Sequence, residues 1–315
     1  MHRVLREVAV AFGLLFVISV LVFLGCRLLP GDQATATLGG SHPTAEQLEA
    51  LRDQLGLNRP LVVQYGDWVL SLLHGDLGTT ANGNPVIDEL TSRLPTTAAL
   101  LALTVLIMVP LGLLLGCLSA LHVGGRFDKF TSGVTLVTNA LPEFVVGVGL
   151  IYLLATGVLG VFPAVSQPPP GDSVLDHPEM MVLPLLTLIL LTLPYFTRMV
   201  RAVLIDVLRS DYVEMARLKG MSTRRVLVNH ALPNALAPSM QVLTLLLTYL
   251  AGGTIIVETV FSYPGTGLAI VQAIRLRDVN QLQALALVVG LFYVVVSRSA
   301  DLGSFLTTPR LRTGR

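Results

Sequence analysis

Six long apolar runs punctuate the chain, at about residues 8–29, 97–121, 131–158, 181–201, 236–258 and 283–305. Each is close to, or longer than, the ~20 residues with which an α-helix crosses the hydrocarbon of a bilayer. The pattern therefore predicts an all-α polytopic membrane protein with six transmembrane helices. Pro142 and Glu143 fall inside the third run, and Pro184 and Pro194 inside the fourth. Proline is tolerated in a membrane helix where neighbouring groups take up the freed carbonyls. The expectation at these prolines is a kink, not a break.

Between the first two runs, about 65 residues from Pro30 to Pro95 are not apolar enough to be embedded. Within them, Thr44 ahead of Glu46, Gln47, Leu48, Leu51 and Leu55 reads as a short amphipathic helix stopped by Gly56. Leu61 to Leu73 reads as a second. Pro168, Pro169, Pro170 and Gly171 mark an irregular loop between the third and fourth runs.

The segment from Asp206 to Pro238 is too polar to insert and too patterned for a slack loop. Asp211 and Glu214 stand at capping-box spacing. They predict a helix that runs to Lys219 and ends at Gly220, the residue suited to a left-handed turn. Ser222 would cap a second helix reaching about Leu232, where Pro233 interrupts it. A stiff helical pair passes a force at its tip to the attached membrane helices. The same residues also suit a solvated basic loop that only enforces topology, and spacing alone does not choose between the two.

Composition strengthens the membrane reading. Hydrophobic residues make up 53% and charged residues 13%, with a mean hydropathy of +0.72, against about 25% charged in soluble domains. With the N-terminus inside, 15 of the 21 Lys and Arg residues fall in inner segments. By the positive-inside rule both termini are cytoplasmic. A net charge of +1 gives no footprint for nucleic acid. Cys26 and Cys117 lie in apolar runs, too few and too far apart for a disulfide framework or zinc site. Arg3 and Arg6, an apolar stretch and Leu24-Gly25-Cys26 imitate a lipoprotein signal. That run is longer than the roughly 7–15 apolar residues of a signal core, so an uncleaved first span is expected.

Glu214-Met215-Ala216, then Gly220, then Leu232-Pro233 resembles the cytoplasmic signature of bacterial binding-protein-dependent ABC permeases. Met215 replaces an alanine of that signature and His230 an aliphatic residue. Leu55-Gly56-Leu57-Asn58-Arg59-Pro60, Gln64-Tyr65 and Gly75-Asp76-Leu77-Gly78 are similar to the outer segment of the dipeptide, oligopeptide and nickel branch. So is Val257-Glu258-Thr259-Val260-Phe261 with Pro264-Gly265 and Gly267, whereas Thr308-Pro309-Arg310 stands where the branch has Asp-Pro-Arg. The resemblance covers nearly the whole chain and fits the larger of that branch's two permeases.

It implies a type I ABC importer permease fold in the bacterial cytoplasmic membrane. The helical pair would be a coupling unit docking on an ATPase, with Glu214, Ala216 and Gly220 at its turn and Arg217 paired with the ATPase surface. Further implied partners are a second homologous permease, two ATP-binding subunits and an extracytoplasmic solute-binding protein. The expected order is a first helix at 1–29 and an extracytoplasmic segment at 30–95. The permease domain follows at 96–305, holding the coupling segment 206–233, and then a tail at 306–315.

ATP hydrolysis needs a glycine-rich loop containing Gly-Lys-Ser/Thr. The two lysines, Lys129 and Lys219, are in no such context, so ATP and Mg belong to partner subunits and this chain needs no cofactor of its own. No His-Glu-x-x-His or serine-elbow pattern occurs, and no catalytic or metal-binding residue is assigned. Glu143, Glu258 and Asp301 are the acids within spans, and such acids are functional candidates. Glu143 and Glu258 are the candidates for a pathway or gate. Peptide import is the leading reading. Nickel or metal-chelate import and an ion-coupled carrier remain the alternatives.

Overall fold

A computed structural model describes residues 2–28, 33–38 and 44–307. The elements begin with α1 (His2–Arg27), α2 (Gln33–Thr37), α3 (Ala45–Gln54), α4 (Leu61–Leu73) and α5 (Val86–Leu121). There follow α6 (Arg126–Asn139), α7 (Glu143–Leu150), a π-helical turn at Ile151–Thr156, and α8 (Pro178–Leu208). The chain continues with α9 (Asp211–Leu218), α10 (Thr223–Val226), α11 (Leu232–Phe261), α12 (Thr266–Leu276) and α13 (Val279–Thr307). Among the described residues there is no strand beyond one isolated bridge, Thr79 to Pro85. Among the described residues five helices are long and apolar enough to cross a membrane, and Arg126–Asn139 with Glu143–Thr156 is a sharply bent pair that is apolar enough only when its halves are taken together. Thr308-Pro309-Arg310 and the side chain of Asp301 lie outside the described residues.

The chain divides into two compact units, Met1–Thr97 with Pro264–Val294, and Ala98–Tyr263 with Val295–Arg315. In the first, α1 carries Phe16 and Phe23 against Tyr65 and Trp68 of α4, and the hydroxyls of Ser19 and Tyr65 share a hydrogen bond of 2.8 Å. Helix α4 has the predicted limits. Helix α3 has a full capping box, Thr44 with Gln47, and Gly56 beyond it takes φ +65°.

Helix α5 starts at Val86, well ahead of the apolar run that begins near residue 97. Asp88 and Glu89 occupy its first turn, where the helix dipole favours acids. Val86 and Leu90 pack against Ala269 of α12 and Ala284 and Leu285 of α13. Only one face of these turns is buried by protein and the other is exposed, so they carry no uniformly apolar surface and hydropathy overlooks them. Asp278 accepts from the backbone N–H of Ala81 and of Gln281, fastening the 79–85 turn to the start of α13.

The second unit is built on α8 and α11, with the lipid-length part of α5 against them. Glycines permit the closest approaches. A Cβ on Gly112 would collide with the Phe196 ring, and one on Gly116 would lie 2.7 Å from Val200. Gly147 of α7 lies close to Val260 and Phe261 of α11, whereas Gly149 and Gly252 face open space. Helix α8 passes through Pro184 and Pro194 without interruption, as expected.

Span three departs from expectation. Its halves α6 and α7 meet at 105°, a break and not a kink. Pro142 has no N–H for a helical bond, and proline pushes the preceding residue, Leu141, out of the helical region. Pro142 itself is extended (ψ 149°) and its carbonyl starts α7 by accepting from Val145 and Val146.

Candidate functional site: a helical coupling unit and a cleft at the broken span

After α8 the chain turns at Arg209 and Ser210 into α9. Ser210, not Asp211, is the N-cap: its backbone is extended and its carbonyl accepts from Val213 and Glu214. The predicted Asp211–Glu214 capping box is absent, because the helix starts one residue earlier and its cap makes no side-chain bond. The Ser210 hydroxyl donates instead to the Val207 carbonyl. Asp211 and Glu214 remain in the first turn, facing the positive end of the helix dipole.

The end of α9 matches expectation. Gly220 takes φ +81°, and its N–H donates to Arg217 while that of Met221 donates to Ala216. The second bond is the six-to-one closure of a left-handed helix stop. Helix α10 then starts directly after Ser222. Pro233 does not terminate a helix here. A π-helical turn at Leu227–Ala231 leads into α11, with the Leu232 N–H bonded to the Leu227 carbonyl. The wider turn makes room for a residue without an N–H, and the Asn234 amide donates to the His230 carbonyl at 2.7 Å.

The unit has an inner and an outer face. Val213, Ala216 and Val226 are buried together against Val207, Leu208 and Met221. Ala216 therefore holds α9 to its neighbours and is not part of the exposed tip. Glu214, Arg217, Lys219 and Gly220 are exposed. Tyr212, Met215 and Leu218 form an exposed apolar row at three-residue spacing (45%, 59% and 76% accessible). These three side chains are left largely uncovered by the rest of the described chain.

A buried ion pair ties α8 to α6. Arg201 of α8 holds Asp128 of α6 through Nε and Nη2, and the Gly124 N–H also donates to that carboxylate. Sequence reasoning missed this pair, and its partners are too far apart for any spacing rule to join them.

Glu143, the first residue of α7, is half-buried and accepts a hydrogen bond from the Tyr249 hydroxyl of α11. Beside it opens a cleft of about 340 Å³. Thr138, Asn139 and Leu141 at the break form one side, Tyr195 and Tyr249 stand on α8 and α11, and buried Leu191 and Leu246 form part of the floor. Glu258, in contrast, is fully buried near Tyr263, whose N–H bonds the Glu258 carbonyl at 2.8 Å. Burial first, and then the Glu258 charge, pushes the Tyr263 hydroxyl above the ordinary phenol range. The two candidate acids are thus in different settings, and Glu143 is bonded to a residue of the cleft wall. Both cysteines are buried, and among the described residues no group of three His, Cys, Asp or Glu could hold a metal.

Residues 108–313 match the family described as the inner membrane component of binding-protein-dependent transport systems. Residues 1–101 match the N-terminal region of such membrane components. The chain belongs to this permease family. It is a multi-pass bacterial inner-membrane permease of a binding-protein-dependent ABC importer, working with an ATPase and a solute-binding protein. It is 34% identical, over 98% of both chains, to a putative peptide transport system permease protein of Brucella abortus (strain 2308). It is 31% identical, over 99% of both, to the glutathione transport system permease protein GsiC of Escherichia coli O6:H1. Identity is 33%, over 96% of both, to the probable D,D-dipeptide transport system permease protein DdpB of Escherichia coli K12. The fold resembles a chain of the inward-facing MetNI methionine ABC transporter, with a TM-score of 0.55 at 16% identity, covering 71% of this permease and 96% of that chain.

Proposed function

We propose that this permease forms half of a peptide pathway, paired in the lipid bilayer with a second homologous permease and driven by two ATP-binding subunits that carry the ATP and Mg. The observation that carries the mechanism is the exposed Tyr212–Met215–Leu218 row on a helix closed by Gly220. An apolar ridge on a short, stiff helix suits a groove on an ATPase. Glu214 and Arg217 beside it offer charges to the rim, and Asp211 steadies the first turn. Both termini are cytoplasmic in this reading, which puts the ridge on the ATPase side. Movement of the ridge reaches the spans through α8 and the continuous α10–α11 rod, with Pro233 inside that rod.

Peptide as cargo is supported by whole-length similarity to chains named for peptide, dipeptide and glutathione transport. The test is purification of the membrane complex through a tag on this chain, with and without Gly220→Pro. Proline cannot adopt φ +81°. Co-purification of an ATPase and a second permease, peptide-stimulated hydrolysis, and loss of either in the variant support the reading. A chain that purifies alone and transports without ATP refutes it. Hydrolysis stimulated by a nickel chelate and not by peptide refutes the cargo.

A further inference from the structure

The break between α6 and α7 leaves non-helical backbone at Leu141 and Pro142, inside a stretch whose two halves together are apolar enough for a membrane. Such backbone is tolerated in a membrane only where it is covered by protein or lines a watery cavity. Charged groups in spans obey the same restriction. Glu143 stands at this break, bonded to Tyr249 of the cleft wall, and where the pair lies in the bilayer both features require a polar environment.

The cleft also has a charge pattern. Its two tyrosines each lead to one ionisable group. Tyr249 donates its hydroxyl to the Glu143 carboxylate, and the Arg198 guanidinium stands 5.7 Å from the centre of the Tyr195 ring. Thr138 and Asn139 add polar groups to the lining, and Leu191 and Leu246 apolar ones. A volume of about 340 Å³ is within the range of small-ligand pockets. A carboxylate bonded to one wall tyrosine, a guanidinium against the other and a mixed polar and apolar lining suit a short zwitterion with an apolar side chain.

We propose that this cleft is a contact site on the transport path for the free ammonium end of a peptide. Glu143 receives the ammonium and Tyr249 holds the carboxylate in position until it arrives. The Arg198 flank receives the peptide's carboxylate end. The ammonium takes the place of the tyrosine hydroxyl on Glu143, a charge-assisted bond replacing a neutral donor. This inference rests on the peptide reading of the cargo. A competing role for Glu143 is that of a strut, tying α7 to α11 through Tyr249 and touching no cargo.

The test uses the full complex carrying Asn139→Cys, a thiol in the cleft wall, with Cys26 and Cys117 buried. Thiol labelling is timed with a free-amino tripeptide, with its N-acetyl form and with neither. Glu143→Gln keeps an oxygen for Tyr249 and removes the charge. Tyr249→Phe keeps the charge and removes the strut. The free-amino peptide should slow labelling and the acetylated form should not. Glu143→Gln should raise the protecting concentration about tenfold, and Tyr249→Phe should change it less than threefold. ATP hydrolysis in each variant checks that the complex is intact. Equal protection by both peptides, or protection unaffected by Glu143→Gln, overturns the ammonium site. Absence of any peptide uptake by the wild-type complex with its binding protein overturns the cargo reading, and this proposal with it. Uptake without cleft protection overturns this proposal alone.

Discussion

Arg201 grips Asp128 with two nearly parallel hydrogen bonds, Nε to Oδ1 at 2.5 Å and Nη2 to Oδ2 at 2.8 Å. The Asp128 side chain is 5% exposed and that of Arg201 26%. The pair joins the first half of the broken span to α8, a few residues before that helix reaches the coupling unit. A span broken at Pro142 lacks the continuous hydrogen-bond ladder that makes a helix move as one rod. The clamp supplies a rigid link where the ladder fails, so a shift of α8 carries α6 with it.

Removing one partner of a buried pair strands the other charge, at a cost of about 3–5 kcal/mol. The accessibility of Arg201 puts this pair toward the lower figure. Asp128→Asn and Arg201→Leu should each lower the melting temperature of the purified complex, whereas Asp128→Leu with Arg201→Leu should recover a large part of the loss. Single and double variants of equal stability would mean the clamp bears no load.

Close packing in the second unit leads to a different expectation. The nearest atoms to a Cβ on Gly112 all belong to the Phe196 ring, but one on Gly116 meets Val200 and, at 3.0 Å, the Thr197 carbonyl oxygen. Side chains can be trimmed and backbone cannot. Gly112→Ala should therefore be repaired by Phe196→Leu, while Gly116→Ala should stay destabilised after Val200→Ala. Overpacking of this kind costs about 1–3 kcal/mol. Thermal unfolding in detergent, followed through the four variants, measures both claims.

These glycines show where the sequence could have been read further. Gly112 and Gly116 have the small-xxx-small spacing that brings membrane helices together. Signals carried by neighbouring residues were readable: the Thr44–Gln47 cap, the limits of α4 and the left-handed stop at Gly220 all follow local rules. The break at Pro142 was not, because Pro184 and Pro194 look the same in sequence and sit in an unbroken helix. What separates them is the packing around each proline. The Asp128–Arg201 pair, with its partners in different spans, depends wholly on the tertiary fold. The same holds for Tyr249, which gives Glu143 its setting. Ser210 displaced Asp211 as cap by one residue, a distinction that the acids of a first turn cannot make.

The coupling ridge predicts a separation of assembly from folding. Leu218 is 76% accessible and Met215 59%, so a charge at either removes no buried contact within this chain. Leu218→Asp and Met215→Asp should leave the melting temperature of the isolated permease within about 0.5 kcal/mol equivalent, the usual scale for surface changes. They should lower co-purification of the ATPase at least tenfold, since an unpaired carboxylate would be desolvated in the groove. Val213→Asp, on the buried face, should instead unfold the unit. Pull-down yield set against thermal stability distinguishes the two faces. Equal ATPase recovery with Leu218→Asp and the wild type would remove the ridge from the interface.

His177 gives the loop before α8 a dependence on pH. Its Nε2 lies 3.1 Å from Asp172 Oδ2, and its Nδ1 3.4 Å from Glu179 Oε1. Neutral imidazole has one N–H and serves one of these carboxylates, whereas imidazolium has two and serves both. The hydrogen bond to Asp172 is the main cause that raises the His177 pKa above the ordinary histidine value, with Glu179 adding to it. A raised folded pKa fixes the sign. The contribution is complete below the unfolded value of about 6.5 and disappears as pH climbs through the folded one. The loop is consequently held most firmly at mildly acid pH and loosens toward neutrality and above. Hydrogen exchange of the backbone amides from Ser173 to Met180, measured across pH 5–9 and corrected for intrinsic rates, should show protection falling through that window. His177→Gln should flatten the profile, and Asp172→Asn should shift its midpoint down toward the ordinary histidine value. A wild-type profile as flat as that of His177→Gln would show that the ring leaves the loop's stability unchanged in either charge state.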